Sequence, residues 1–407
     1  MVVNGIHTST EYHGKLDTIA VHGSGEAKTN GAAVLPVHNS VTYGVRGEYK
    51  DGCAFYTRPA DTPNHAELAK KMALLEGTKA AVVTASGMAA ISSTLFALLR
   101  SGDHLIIQDN VYGGTHELVH EEFPSLGIEH TTVDPQDPAQ WEQALRPNTK
   151  VFYVESISNP LVRVTDLAGV AGFARRHGIT PVVDNTFASP VLCRPADMGF
   201  VVVHSATKFL NGHSDLLAGV VSSSRDFIGK VTQKMVMYGG CLDPHACFLL
   251  NRGMATLGLR MRQQCASALA IAEMLQQHPM VENVSYPALA SSPDHALATK
   301  LFGGRGGGVL SFVLRGSMAQ TKAFLGHLHL PFVAPSLGGV ESLVCLPAET
   351  SHLALGPDGR KAAGIPETLV RLSVGVEDTA DLIQDIQQAL AAAGIKNCHV
   401  SNGGAPH

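Results

Sequence analysis

The run Val201-Val-Val-His-Ser-Ala-Thr-Lys208-Phe-Leu-Asn-Gly-His-Ser-Asp215 constrains this chain more than any other. Its three valines predict a short buried strand, because β-branched residues suit a covered, pleated surface. The strand delivers Ser205 and Thr207 beside one lysine, Lys208. Upstream, Pro181-Val-Val-Asp184 reads as a second strand ending in a carboxylate. An amine and a carboxylate at neighbouring strand ends are what pyridoxal 5'-phosphate needs. The amine condenses with its aldehyde, and the carboxylate keeps the pyridine nitrogen protonated so that the ring can draw electrons. Ser205 and Thr207 would then hydrogen-bond the phosphate. Ser-x-Thr-Lys alone would mean no more than a surface lysine after a strand; Asp184 and the pattern around it argue for the site.

That pattern is an alternation. Strands are predicted at Ala80–Thr84, His104–Gln108, 128–133, 150–155, Thr180–Asp184, Val201–Ser205 and Gly219–Ser223. Helices fit at 65–76, 138–145 and 166–177, and a further one opens at Ser86-Gly87 with Met88, Ile91, Leu95 and Leu99 on one face. The fold class is α/β, a mostly parallel sheet covered by helices on both faces. Ligands in such sheets sit beyond the carboxyl ends of the strands, and Glu155, Asp184 and Lys208 all fall there. The turn at Gly87 and Met88 has a strand before it and a helix after it. Free N–H groups at such a helix start attract an anion; an ordinary βα turn is the alternative.

Beyond this region the apolar spacing predicts one long helix over 249–278. A smaller α/β domain follows, with strands at 281–286, 308–314, 342–346 and 369–374 and helices at 318–328 and 378–393. The glycine run 303–308 lacks phosphate-loop spacing and reads as a turn. Residues 1–56 show little helical periodicity and read as an extended arm that packs on another subunit. The expected division is 1–60 for the arm, 61–255 for the large cofactor-binding domain and 256–407 for the C-terminal domain, ending in a polar tail from Ser401.

Composition excludes other classes. The chain of 407 residues carries a net charge of -5 and no long basic run, which argues against nucleic acid or an acidic membrane as partner. No run is apolar enough to span a bilayer, and no signal peptide is visible. Seven cysteines are spread singly, from Cys53 to Cys398, which suggests free thiols in a reducing, cytoplasmic setting.

One motif competes. His116-Glu-Leu-Val-His120 fits H-E-x-x-H, in which two histidines share a helix face and bind zinc. No clear third ligand follows, and Pro124 is expected to end the helix early. A zinc hydrolase is therefore the remote alternative, and a solvated helix face the plainer one.

In combination, Ser86-Gly-Met, Val111-Tyr-Gly-Gly-Thr, Glu155-Ser-Ile-Ser-Asn-Pro, Val183-Asp-Asn-Thr and Ser205-Ala-Thr-Lys resemble the Cys/Met-metabolism family of pyridoxal-phosphate enzymes. The resemblance runs from Leu16 to Glu377. It implies the transferase fold type I and assigns roles: Lys208 as the Schiff-base lysine, Asp184 as the pyridinium partner, and Gly87, Met88, Ser205 and Thr207 on the phosphate. It gives Tyr112 ring stacking and proton transfer, Asn159 the ring hydroxyl and Arg371 the substrate α-carboxylate. Ser336, Leu337 and Glu341 would meet the substrate's distal end, and Tyr56 and Arg58 would reach the neighbouring subunit's phosphate. The implied activity is β/γ-elimination or γ-replacement on a sulfur-containing or O-acylhomoserine-type amino acid. Cystathionine γ-lyase or γ-synthase is its nearest form, and a homotetramer with shared sites its assembly. Other substrates of the family, or a specialised-metabolite amino acid, are the alternative. Three segments depart from the family pattern. Tyr56-Thr-Arg58 is followed by Pro-Ala-Asp-Thr-Pro, Gly114 stands where methionine γ-lyases carry cysteine, and Pro347-Ala-Glu-Thr-Ser-His352 replaces Pro-Ala-x-Met-Thr-His.

Overall fold

The computed structural model of the protein describes residues 14–23, 32–44 and 56–394. Cys53, Cys398, most of the expected arm and the tail from Ser401 lie outside them.

Seven strands form the first sheet: β1 Ala80–Thr84, β2 His104–Gln108, β3 Glu129–Val133, β4 Thr149–Glu155, β5 Thr180–Asp184, β6 Val201–Ser205 and β7 Gly219–Ser223. Their order is β1-β7-β6-β5-β4-β2-β3. All run parallel except β7, which is antiparallel to both its neighbours, β1 and β6. Strands β1 and β2 are buried along their whole length and β4 at all but one residue, so they read as apolar runs rather than alternating ones. One face packs Val83, Phe152, Val154, Val183 and Val202 under helices Pro63–Glu76 and Leu167–His177. The other packs Val82, Ile107, Tyr153 and Val203 under helices Gly87–Leu98 and Arg225–Tyr238.

Helix starts follow local chemistry. Ser86 accepts from Ala89 N (3.0 Å), and Asp166 accepts from Gly169 N (3.1 Å). Gly77 and Gly178 end their helices in the left-handed region, which glycine enters without a Cβ clash.

The second sheet has strands β8 Val281–Ser285, β9 Val309–Leu314, β10 Phe332–Val333, β11 Leu343–Cys345 and β12 Leu369–Ser373, in the order β10-β11-β12-β9-β8. It is antiparallel except for the β10–β11 pair. Its core joins Leu310, Phe312, Val370 and Leu372 to helices Leu257–Gln276 and Thr379–Ala392. Buried Asp294 ties the two halves, accepting from Arg163 Nε (2.7 Å), Gln136 Nε2 (2.8 Å) and Val164 N (3.0 Å).

Two expectations change. The helix over 249–278 is two helices, Pro244–Met254 and Leu257–Gln276. Arg260 breaks it: its guanidinium takes the carbonyl of Gly253 (2.8 Å) together with that of Phe209 (2.7 Å). The expected arm contains a short helix, Leu16–His22, which buries Ile19 and Ala20 and receives a bond from Lys71 Nζ at Ala20 O (2.9 Å). Among the described residues no helix is long and apolar enough to cross a membrane.

Candidate active site

The carboxyl ends of β4, β5 and β6 open into a cavity of about 730 Å³. Gly87, Met88, Tyr112, Glu155, Asn159, Asp184, Ser205, Thr207, Lys208, Ser336, Leu337 and Arg371 line it. Sequence-distant elements therefore converge on one space.

Register explains the floor. Glu155 and Asp184 end adjacent parallel strands as direct partners, so their side chains leave the sheet side by side. Thr186 donates to Asp184 Oδ1 through both its N–H (2.9 Å) and its hydroxyl, which leaves Oδ2 for a ligand. Glu155 Oε1 accepts the N–H of Tyr112 (2.6 Å). Burial raises both carboxyls above their ordinary range. For Asp184 the Thr186 bonds and His204 oppose the rise; for Glu155 the charge of Asp184 adds to it, and the backbone N–H groups of Tyr112 and Asn159 oppose it. Both shifts run upward, and the two Thr186 bonds give Asp184 the donors that a charged carboxylate needs.

Lys208 follows β6 by three residues. Its Nζ donates to Ser336 Oγ at 2.7 Å. Burial, and then the Arg371 guanidinium, bring its pKa from 10.5 down to about 8. Arg371, on β12, donates to Asn159 Oδ1 (2.8 Å) and to Ser336 O (2.9 Å). Its Nε is buried without a partner. Ser336 itself adopts a φ of 95°, a left-handed conformation unusual for a serine.

Pyridoxal phosphate fits these residues. A Cβ on Gly87 would meet Ser205 Cβ at 2.8 Å and Ser205 Cα at 3.0 Å, so the helix start and the end of β6 leave a cradle only glycine permits. The first N–H groups of the helix Gly87–Leu98 have no intrahelical acceptor. They stand with the hydroxyls of Ser205 and Thr207 in one wall of the cavity, a donor set for a phosphate. Asp184 offers an anion for a pyridinium, Lys208 an amine with a lowered pKa, and Tyr112 a ring that is 45% exposed.

Not every expected residue is here. Glu341 accepts from the hydroxyl of Ser214 and does not line the cavity. Tyr56 and Arg58 are exposed away from it, with the guanidinium 5.1 Å over the tyrosine ring. Residues 113–125 coil as a helix with a π-helical turn at Leu118–Glu122, so the helix reaches Ser125, one residue past Pro124. On it the His116 and His120 rings stack 3.9 Å apart. His120 is engaged by His116 O and Thr132 Oγ1, and among the described residues no group of three ligands is placed to hold a metal ion. Conversely, Thr186, Glu349, Thr350 and Ser351 line the cavity without having been singled out as site residues. For the last three, the departure at Pro347–His352 was the signal.

An α/β sheet whose strand ends gather a lysine, a paired aspartate, a glycine-hydroxyl cradle and a buried arginine defines a pyridoxal-phosphate enzyme of fold type I. The model for the family "Cys/Met metabolism PLP-dependent enzyme" matches residues 17–391, and the chain belongs to that family. It is 41% identical over 399 residues to L-methionine gamma-lyase of Pseudomonas putida, covering 95% of this chain and 100% of that one. It is 40% identical over 380 residues to cystathionine gamma-lyase of Bacillus subtilis, covering 92% and 99%. The solved structure of cystathionine gamma synthase from Xanthomonas oryzae pv. oryzae, in complex with aminoacrylate and cysteine, superposes with a TM-score of 0.90 at 37% identity, covering 94% and 99%.

Proposed function

We propose that the protein catalyses elimination or replacement at the β- or γ-carbon of a sulfur-type amino acid, in the manner of a cystathionine γ-lyase or γ-synthase. One observation carries the reading: the Lys208 amine and the Arg371 guanidinium meet at Ser336 inside the cavity. A carboxylate held on Arg371 and a base at Lys208 define two ends between which a substrate α-carbon must sit.

Bound pyridoxal phosphate would supply the electron sink for the carbanion formed at that carbon. Asp184 would keep the pyridine nitrogen protonated. Ser205, Thr207 and the N–H groups of Gly87 and Met88 would hold the phosphate, and Asn159 the ring hydroxyl. Lys208, with a pKa of about 8, takes the α-proton near neutral pH and returns it at the α- or β-carbon. Arg371 pairs with the substrate carboxylate through its free donor edge, a bidentate task that lysine performs poorly. Tyr112 stacks its ring over the site and protonates the leaving group.

The relatives include lyases of methionine and of cystathionine at nearly equal identity, so a methionine γ-lyase is the second reading. Gly114, and the polar wall described below, weigh against it. The assay is direct: cystathionine, methionine, cysteine and O-acylhomoserines, each with and without thiol, scored for keto acid. Keto acid from cystathionine is expected, and diversion to a thioether when thiol is added marks replacement. Silence with every substrate would overturn the reading. Lys208→Ala should lower turnover by at least about 10³-fold.

We also infer that sites are shared in a dimer of dimers. Tyr56 and Arg58 are exposed at the surface, and Leu217, a cavity residue, is 67% exposed on an open side. Five unpaired cysteines among the described residues support a reducing, cytoplasmic setting.

A further inference from the structure

We propose that Glu349, with the hydroxyls of Thr350 and Ser351, forms the subsite for the far end of the substrate side chain, and that this subsite takes an ammonium group. The inference rests on the reading above that the cavity takes an amino acid.

Three carboxylates line the cavity. Asp184 and Glu155 are buried at strand ends and engaged by Thr186 and by the N–H of Tyr112. Glu349 differs. It ends the single turn Pro347–Glu349 after β11, and its side chain is 47% exposed. Its Oε1 lies 2.6 Å from Lys322 Nζ, and the Lys322 side chain is 53% exposed. An ion pair so open to water is weak. It positions the carboxylate without committing it, and Lys322 is not among the cavity residues. An ammonium arriving from inside the cavity can therefore compete for Glu349.

The neighbouring residues extend the same wall. The Thr350 hydroxyl donates to Leu346 O (2.8 Å), and the Ser351 hydroxyl bonds His352 Nδ1 (2.8 Å). The Ser351 carbonyl packs so close to Gly113 that a Cβ there would lie 2.8 Å away. The wall thus adjoins Tyr112. A methylthio end would desolvate a carboxylate here with nothing in return, whereas an ammonium would neutralise it. Glu341 cannot take this part while Ser214 holds it outside the cavity lining.

The test is calorimetric titration of the holoenzyme with L-lysine and with L-norleucine. The two share the same carbon chain, to which lysine adds a terminal ammonium, and neither carries a leaving group. Lysine should bind about tenfold tighter than norleucine. Glu349→Gln should bring the ratio to about one, and Lys322→Met should strengthen lysine binding several-fold by removing the competitor. Equal binding by the unmodified enzyme, or a lysine preference that survives Glu349→Gln, overturns the proposal. Failure of the reaction reading looks different: lysine preference as expected, but no keto acid from any substrate. Keto acid release with norleucine bound as tightly as lysine sinks the subsite alone.

Discussion

The charge on Lys208 is governed by two surroundings, burial and the Arg371 guanidinium, and both push the same way. With a pKa of about 8, about a tenth of the amine is uncharged at pH 7, far more than for an exposed lysine. Carbamylation of Lys208 by cyanate in the cofactor-free protein, followed by peptide mass spectrometry, should therefore rise with a midpoint near pH 8. Arg371→Met removes a positive neighbour, so the midpoint should move to higher pH; a fall would contradict the geometry. Glu155 invites a second substitution. Glu155→Gln keeps an acceptor for the Tyr112 N–H, whereas Glu155→Ala leaves that donor without a partner. The alanine variant should lose about tenfold or more in kcat, clearly beyond the glutamine variant. Residues whose chemistry admits few substitutes were legible before any fold was known: Lys208, Asp184, Ser205, Thr207, Gly87 and Arg371. Glu349 was not, because no spacing rule carries a residue from a single helical turn into a cavity built by other strands. Glu341 was read from its motif, but the turn at Ser214, with φ of 55°, brings a hydroxyl to it.

Strand β6 shows how one element serves two purposes. Its period of two sends Val203 and Ser205 toward the cavity face and Val202 and His204 toward the helix Pro63–Glu76. There His204 Nε2 meets Glu76 Oε1 at 2.6 Å, both side chains fully buried. His204→Ala removes the shorter of two bonds to Glu76 Oε1, the other coming from Asn185 Nδ2 at 3.5 Å, and should cost about 1–3 kcal/mol, read as a lower denaturant midpoint. On the other face, Gly87→Ala presses a Cβ against Ser205 Cβ and Cα, atoms that cannot rotate away. Cofactor affinity should drop by about tenfold or more while the fold persists. Strands of the first sheet were legible nearly to the residue, because most are largely apolar runs closed by polar or glycine-rich turns; β3 is the exception, buried only at Val133. The break at residues 255–256 was hidden, since Met254, Leu257 and Met261 keep helical spacing across it. At the break the Gly253 carbonyl is taken by Arg260 and by the Thr256 hydroxyl.

For the molecule as a whole, the sharing of sites is open to a mixing experiment. Arg58→Ala and Lys208→Ala chains, dissociated and recombined, should recover about a quarter of full activity. Half the dimers are then hybrid, and one of the two sites in each has both side chains intact. No recovery after verified exchange would place Arg58 within its own chain's business, provided Arg58→Ala alone is strongly impaired. The convergence on Ser336 has a different kind of consequence, one of timing. The Lys208–Ser336 bond joins residues 128 apart and the Arg371–Asn159 bond residues 212 apart. Chains are synthesised from the amino end, so one wall of the cavity is missing until β12 has left the ribosome. A nascent chain that has already folded its first sheet carries the lysine, the carboxylate and the phosphate donors for the cofactor, but not yet the arginine for a substrate carboxylate. Because a ligand that binds the folded state and not the unfolded one stabilises it by mass action, cofactor would stabilise the first sheet before any substrate could be held. A cell short of the cofactor would then lose this enzyme as a protein, by turnover of empty chains, and not merely as an activity.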